Sequence, residues 1–253
     1  MSLIEYFFNE PTLFIGVNLF TIFCYLFYVK NYVNLYNSKQ IQRVNNKYLN
    51  DIYAIWNILL TIYSAYGVWE LTPDIYKSLQ TRGYTETMCS NDIWYKHFDF
   101  LKWYWFSKFV EFIDTMFIMS RGRPVIFLHY YHHFLTALYC VIAHVVSIGL
   151  KPNNHVDLCF AALNLFVHTL MYAWYGYSAL GYKTSSLVKN TVTIIQTSQM
   201  FFGCYFVYTG IFSCGWYENN FILPTLSALM YASYVYIFSK LLIRNLNKSV
   251  KLD

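Results

Sequence analysis

The stretch that decides the fold runs from Val125 to Ile148 and reads VIFLHYYHHFLTALYCVIAHVVSI. It holds 24 residues without Asp, Glu, Lys or Arg, which is long enough for a helix to cross the hydrocarbon core of a bilayer. It also carries His129, His132 and His133, which share one helix face at spacings of three and four residues. Because ionisable side chains are costly against lipid, the sequence predicts a membrane helix whose histidine face meets other polar groups.

The composition of the whole chain agrees with a membrane protein. Its 253 residues are 57% hydrophobic and 12% charged, with a mean hydropathy of +0.32, whereas soluble domains carry about 25% charged residues. The chain shows no internal repeat and no second domain. We therefore predict an all-α, polytopic membrane protein with seven transmembrane helices in a single integral membrane domain, residues 1–253. The predicted segments are 12–29, 52–70, 99–119, 125–148, 156–176, 189–209 and 221–243.

Lysine and arginine are distributed unevenly between the two sides of the predicted bundle. Twelve of them fall in the alternate connections that include the chain end, and four fall in the opposite connections. Basic residues stay on the cytosolic side of membrane proteins. The pattern predicts a cytosolic C-terminus and an N-terminus outside the cytosol.

Two of the six cysteines, Cys89 and Cys214, fall in different connections on the predicted non-cytosolic side. An oxidising lumen would permit a disulfide between them. Sequence alone leaves the bonded and the free states both open.

Four consecutive predicted helices, the third to the sixth, each carry a polar stripe. A rise of about 1.5 Å per residue puts all four stripes at roughly 10–12 Å from the cytosolic ends of their helices. We predict a buried polar chamber formed mainly by these four helices; the alternative is polar contacts that only hold helices together. The stripes are Lys108, Glu111, Asp114 and Thr115; His129, His132 and His133; Asn164, His168 and Tyr172; and Thr193, Gln196 and Gln199.

The histidines leave two chemistries to weigh. H-x-x-H-H resembles the boxes of di-iron desaturases and hydroxylases, yet those enzymes need about eight histidines, and this chain has seven. Metal-free acyl transfer is the other reading, because histidine can serve as a general base or as a nucleophile that forms an acyl-imidazole. A seven-span receptor or a transporter would leave the four polar stripes unexplained.

The order of the four motifs resembles the ELO family of fatty-acid elongases of the endoplasmic reticulum. The motifs are KFVEFIDT, HYYHH, NLFVHTLMYAWY and TIIQTSQ, against K-x-x-E-x-x-D-T, H-x-x-H-H, N-x-x-x-H-x-x-M-Y-x-Y-Y and T-x-x-Q-x-x-Q in the family. The match is close over about residues 100–200. Trp174 departs from the pattern, since the family usually has a tyrosine there.

The resemblance implies a 3-ketoacyl-CoA synthase, an acyltransferase that condenses long-chain acyl-CoA with malonyl-CoA and releases CO2 and CoA. It implies His132 as the acylated nucleophile and His168 as a second reacting imidazole, with His129 and His133 orienting or stabilising. Lys108 and Arg121 would contact CoA near the cytosolic opening, and the remaining stripe residues would support the site.

Beyond its two substrates, the resemblance implies no cofactor, no metal and no nucleic acid. It implies an endoplasmic reticulum membrane location with a lumenal N-terminus. A second copy of the chain and other enzymes of the elongation cycle are both open as protein partners.

Overall fold

A computed structural model describes residues 3–150, 156–219 and 221–249, and within these ranges helices are joined by turns and irregular connections, with no strands. The helices within these ranges are α1 (Leu3–Asn9), α2 (Pro11–Asn37), α3 (Lys47–Arg82), α4 (Tyr84–Cys89), α5 (Asp92–Lys96), α6 (Phe98–Val110), α7 (Phe112–Ser120), α8 (Phe127–Leu150), α9 (Val156–Ala179), α10 (Ser186–Phe212), α11 (Trp216–Asn219) and α12 (Ile222–Ser249). The residues outside the described part include Lys151 and Lys251, which enter the charge count, as well as Pro152 and His155.

Each of the seven predicted segments coincides with helical structure, and the third is divided between α6 and α7. The fourth and seventh segments start shortly before their helices, since α8 begins at Phe127 and α12 at Ile222. Four helices in the described part of the chain are long and apolar enough to cross a membrane: α2, α3, α9 and α12. They identify a multi-pass membrane protein. The predicted segments that lie in α8 and α10, and the one divided between α6 and α7, are not among these four. The count of seven stays a prediction.

Long-range contacts divide the chain into two compact units. The first comprises Met1–Asn46 and Asp99–Pro152, and the second comprises Lys47–Phe98 and Asn153–Asp253. Each unit is therefore made from two separate stretches of chain. The prediction of a single domain over residues 1–253 stays a prediction.

In the first unit, α2 packs along α8, with α1 folded against α2. Buried positions on α2 recur every three or four residues, which places them on one side of the helix. Phe14, Ile22 and Val29 belong to this stripe and share a core with Ala137 and Val141 of α8. The exposed apolar side chains on the other faces of α2 are suited to lipid.

The predicted third span is not one continuous helix, because α6 ends at Val110 and α7 begins at Phe112. At the break, the Asp114 amide donates to the Glu111 carbonyl over 3.1 Å, a tightened three-residue turn.

In the second unit, α3 packs against α9, and α10 packs against both α9 and α12. Small side chains allow close approach, as is usual between membrane helices: Ala54 of α3 and Ala161 of α9 are fully buried. At Gly203 of α10, an added Cβ atom would lie 2.1 Å from the Tyr231 ring of α12, so only glycine fits there.

A disulfide between Cys89 and Cys214 joins the end of α4 to the turn after α10. Beside it, Tyr84 and Thr209 hydroxyls lie 3.0 Å apart. Trp94 donates its indole N–H to Asp157 at the start of α9 over 3.1 Å. These contacts close one end of the second unit.

Candidate functional site

The stripe predicted on the third span is buried. Lys108, Glu111, Asp114 and Thr115 all lie inside the first unit, and the Lys108 ammonium donates to Glu111 Oε1 over 2.6 Å. The side chains of this ion pair are 2% and 6% exposed. Two charges at such depth are stable only because they compensate each other, since each alone would carry a desolvation cost of several kcal/mol.

The three histidines of α8 gather beside this stripe. His129 and His133 lie one turn apart with ring centres separated by 4.3 Å, and His132 lies 5.7 Å from His133. His133 Nδ1 is 4.0 Å from Glu111 Oε2. The carboxylate of Glu111 therefore has Lys108 on one oxygen and an imidazole near the other. At 4.0 Å the Glu111 carboxylate is near enough to His133 for an electrostatic interaction, but beyond hydrogen-bond distance.

A hydrogen-bond chain reaches the histidines from α2. The Tyr25 hydroxyl lies 3.0 Å from Thr115 Oγ1, which in turn lies 2.9 Å from His129 Nε2. The Tyr25 ring also stacks on Phe112 with centres 4.0 Å apart. Sequence reasoning missed Tyr25 because it sits in an apolar, aromatic run where tyrosine is ordinary. Its place on the buried stripe of α2 is the signal that could have marked it.

The second polar set lies on α9 in the second unit. Asn164 Nδ2 is 3.2 Å from His168 Nε2, one turn away. The His168 ring meets Tyr172 edge to face, with centres 5.2 Å apart. The side-chain amide of Asn164 can donate to or accept from an imidazole nitrogen. The pair therefore presents one imidazole whose orientation is restricted by an amide on the same helix.

The stripe on α10 divides its contacts between two neighbours. Gln196 donates to the Met171 sulfur of α9 over 3.0 Å, one turn past His168. Gln199 is buried. Thr193 accepts a hydrogen bond from Asn245 of α12 over 3.3 Å, so Thr193 binds the last helix. Trp174, the departure from the family pattern, donates to Thr184 over 3.2 Å.

The predicted site residues thus fall into two sets. The histidines of α8 lie with Glu111 and Thr115 in the first unit, whereas Asn164 and His168 lie in the second. A single chamber shared by both sets stays a prediction. Arg121, expected at the cytosolic opening, has a buried side chain, and its carbonyl accepts from the Val44 amide over 3.2 Å.

Two other histidines have contacts of their own. His97 lies between two carboxylates of α3, with Nδ1 3.1 Å from Glu70 and Nε2 2.8 Å from Asp74. His144 Nε2 lies 3.0 Å from the Phe8 carbonyl. Across residues 3–150, 156–219 and 221–249, no three His, Cys, Asp or Glu side chains are grouped so as to hold a metal ion.

Comparison with known proteins matches the chain over residues 10–252 to the family described as ELO: GNS1/SUR4. Long chain fatty acid elongase 2 of Caenorhabditis elegans is 30% identical over 200 residues, 76% of this chain and 71% of that protein. Fatty acid elongase 1 of Trypanosoma cruzi (strain CL Brener) is 30% identical over 205 residues, 76% of this chain and 67% of that protein.

A third relative, Long chain fatty acid elongase 1 of Caenorhabditis elegans, is 30% identical over 158 residues. The alignment spans 59% of this chain and about half, 51%, of that relative. No solved structure matches the chain.

Proposed function

Because the chain belongs to the ELO (GNS1/SUR4) family and so acts in fatty-acid elongation, we propose that it catalyses the condensing step. In this proposal it is a 3-ketoacyl-CoA synthase that joins a long-chain acyl-CoA to malonyl-CoA. The products are a 3-ketoacyl-CoA two carbons longer, CO2 and free CoA. The observation that carries the proposal is the group of His129, His132 and His133 beside the buried Glu111, in which His133 is buried and the other two imidazoles are half-buried.

The first half of the proposed reaction transfers the acyl group to His132. A ring nitrogen attacks the thioester carbonyl, so that a C–N bond forms and the C–S bond breaks. CoA leaves as a thiolate, and the proton released by the imidazole neutralises it. An acyl-imidazole is a reactive acyl donor, so this step keeps the chain activated while CoA departs.

The second half forms the new carbon–carbon bond. Malonyl-CoA loses CO2, and the electron pair of the broken bond becomes an enolate. The enolate carbon attacks the acyl carbonyl, the C–N bond to His132 breaks, and the departing ring nitrogen takes up one proton from water, which restores the neutral imidazole. His168 is the proposed second reacting imidazole, and its contact with Asn164 supports one orientation of the ring for that role. Amide donors such as Gln196 would stabilise developing negative charge.

The neighbours of His132 support the proposal through geometry. Thr115 Oγ1 lies 2.9 Å from His129 Nε2, a contact that restricts the orientation of that ring. Fixed orientation is worth several kcal/mol of barrier when reacting atoms must meet in line. One oxygen of the Glu111 carboxylate lies near His133, and the other accepts a hydrogen bond from Lys108.

The decisive experiment separates a covalent from a direct mechanism. Purified protein is incubated with a long-chain acyl-CoA alone, and its intact mass is measured. We expect the mass to rise by one acyl group in the native protein and to stay unchanged in His132→Ala. Tyr131→Phe, which alters the adjacent position, is the matched control and should still be acylated.

Adding labelled malonyl-CoA should then discharge the acyl group as 3-ketoacyl-CoA without added iron. Turnover retained in a folded His132→Ala variant would show that His132 is not the nucleophile. Iron-dependent oxygen consumption with a fatty acyl substrate would instead favour the di-iron desaturase or hydroxylase reading. His168→Ala should abolish condensation while leaving acylation measurable.

The cellular setting is part of the same proposal. We propose a location in the endoplasmic reticulum membrane, which the family resemblance implies. The distribution of basic residues supports an orientation with the N-terminus in the lumen and the C-terminus in the cytosol. Tags at the two ends, tested for protease access in sealed microsomes, check this orientation. Cross-linking in membranes tests the two proposed kinds of partner, a second copy and other elongation-cycle enzymes.

A further inference from the structure

A second polar feature of the first unit lies apart from the histidines. It is a pocket of about 450 Å³ between the connection that follows α2 and the turn between α7 and α8. None of the proposed reacting residues lines it. The lining residues, which we call the basic pocket, are Tyr36, Lys39, Ile41, Arg43, Gly122, Arg123 and Pro124.

The walls of the basic pocket are held together by backbone contacts. The Val44 amide donates to the Arg121 carbonyl over 3.2 Å. This hydrogen bond joins the connection that follows α2 to the turn between α7 and α8. Gly122 has a φ of +60°, and a Cβ atom there would lie 2.1 Å from the Gln42 carbonyl oxygen. The backbone of the connection after α2 and that of the turn between α7 and α8 thus approach each other as closely as only glycine allows. The two segments that line the pocket are therefore held together by backbone contacts.

Two further backbone features concern the residues that carry the positive charges of the pocket. Lys39 has a φ of +58°, the left-handed conformation that a non-glycine residue rarely adopts. The Tyr32 hydroxyl donates to the Arg123 carbonyl over 2.9 Å, which anchors the backbone of that arginine to α2.

The charge of the basic pocket is uncompensated. Lys39, Arg43 and Arg123 contribute three positive charges, and no lining residue is acidic. Within the part of the chain that the structure describes, none of the three forms an ion pair. Three like charges around one cavity repel each other, and the field they create attracts an anion. Two of the three are arginines, whose planar guanidinium groups match phosphate oxygens in pairs.

We propose that the basic pocket binds a phosphate group carried by a larger amphipathic or nucleotide ligand. Its volume falls within the range of small-molecule sites, about 300–1,000 Å³. The same phosphate chemistry is offered by the headgroup of an anionic phospholipid and by the nucleotide end of CoA. The CoA source rests on the proposed function, whereas the lipid source does not depend on it.

The test measures binding and not turnover. Two probes are used with the purified full chain: adenosine 3′,5′-bisphosphate in solution, and phosphatidic acid in nanodiscs of phosphatidylcholine. Arg43→Gln and Arg123→Gln are the test variants, singly and together. Lys183→Gln is the matched control, because it removes one exposed positive charge outside the pocket.

We expect at least one probe to bind, with an affinity that falls about tenfold for each arginine removed and stays unchanged in Lys183→Gln. Binding of the bisphosphate alone assigns the pocket to CoA, and binding of phosphatidic acid alone assigns it to lipid. Failure of both probes to bind, or equal affinity in the double variant and in Lys183→Gln, overturns the proposal. Because the side chains replaced are exposed, unchanged melting curves should accompany the loss.

A failure of the proposed function would look different. If the chain binds phosphatidic acid through these arginines but never makes 3-ketoacyl-CoA, the basic pocket stands and the condensation proposal falls. If the native chain condenses its substrates normally but the double variant binds both probes as tightly as the native protein does, the condensation proposal stands and the basic-pocket proposal falls.

Discussion

The buried ion pair of Lys108 and Glu111 is the feature whose energetics are most open to test. Its nitrogen and oxygen lie 2.6 Å apart, and both side chains are almost wholly excluded from solvent. Lys108→Met would leave the Glu111 carboxylate buried without its cation. Removing one partner of such a pair costs about 3–5 kcal/mol. For a chain of this size, that loss corresponds to a fall in Tm of roughly 6–20 °C.

The double variant Lys108→Met/Glu111→Gln removes both charges and so no longer buries an uncompensated one. We expect it to be more stable than Lys108→Met by about 2 kcal/mol, the coupling energy of contacting residues. The matched control is Lys102→Met on the same helix. Lys102 also pairs with a carboxylate three residues away, Asp99 at 2.5 Å, but Asp99 is 91% exposed. Losing that pair should cost under about 1 kcal/mol.

The assay is thermal unfolding of the purified variants in one detergent, followed by tryptophan fluorescence. A double variant no more stable than Lys108→Met would refute the reasoning, because the cost would then come from packing and not from charge. Equal losses in Lys108→Met and Lys102→Met would refute it as well, since burial would then make no difference.

Three further perturbations test other contacts. Tyr25→Phe keeps the ring stacking but removes one hydrogen bond, so it should cost about 1 kcal/mol of stability, and single-turnover rates should fall if the chain to His129 positions the imidazole. Cys214→Ser should lower stability by about 2–4 kcal/mol and make the Tm insensitive to reductant; a native protein already insensitive to reductant would contradict this. The Arg82 guanidinium, 2.7 Å away, holds the pKa of the Asp92 carboxyl below its ordinary value. A lowered folded-state pKa contributes stability above the ordinary value of about 3.9, and that contribution is lost as the pH falls. The Tm advantage over Asp92→Asn should therefore shrink below about pH 4, and a constant advantage would contradict it.

Much of the first polar set could be predicted from spacing. Offsets of three, four and seven residues put Lys108, Glu111 and Thr115 on one face whether or not the helix is continuous, because the break at Glu111 shifts the phase only slightly. The burial of that face follows from the cost of charge in lipid. The break itself was not predictable, since no proline or glycine marks it and its cause is one tightened hydrogen bond.

Other features depend on partners that are distant in the sequence. Tyr25 of α2 and Thr115 of α7 are 90 residues apart in the sequence, and only the folding of the first unit brings their hydroxyls together. Likewise, nothing in the connection after α2 indicates that its cations face the turn before α8. The distribution of charge predicted on which side of the membrane these lysines and arginines lie. It did not predict that three of them line one pocket.

The interleaving of the two units has a consequence for biosynthesis. α3 is made well before its packing partner α9, with all of α4 to α8 translated in between. At ordinary elongation speeds the wait is on the order of ten seconds. During that time Asn57, which is fully buried in the finished fold with its Cβ atom beside Gly176 of α9, has no such helix to shield it. The first unit, by contrast, can close as soon as α8 has been made. Substitutions at Asn57 should therefore act on the yield of inserted protein as well as on the stability of what is finally folded.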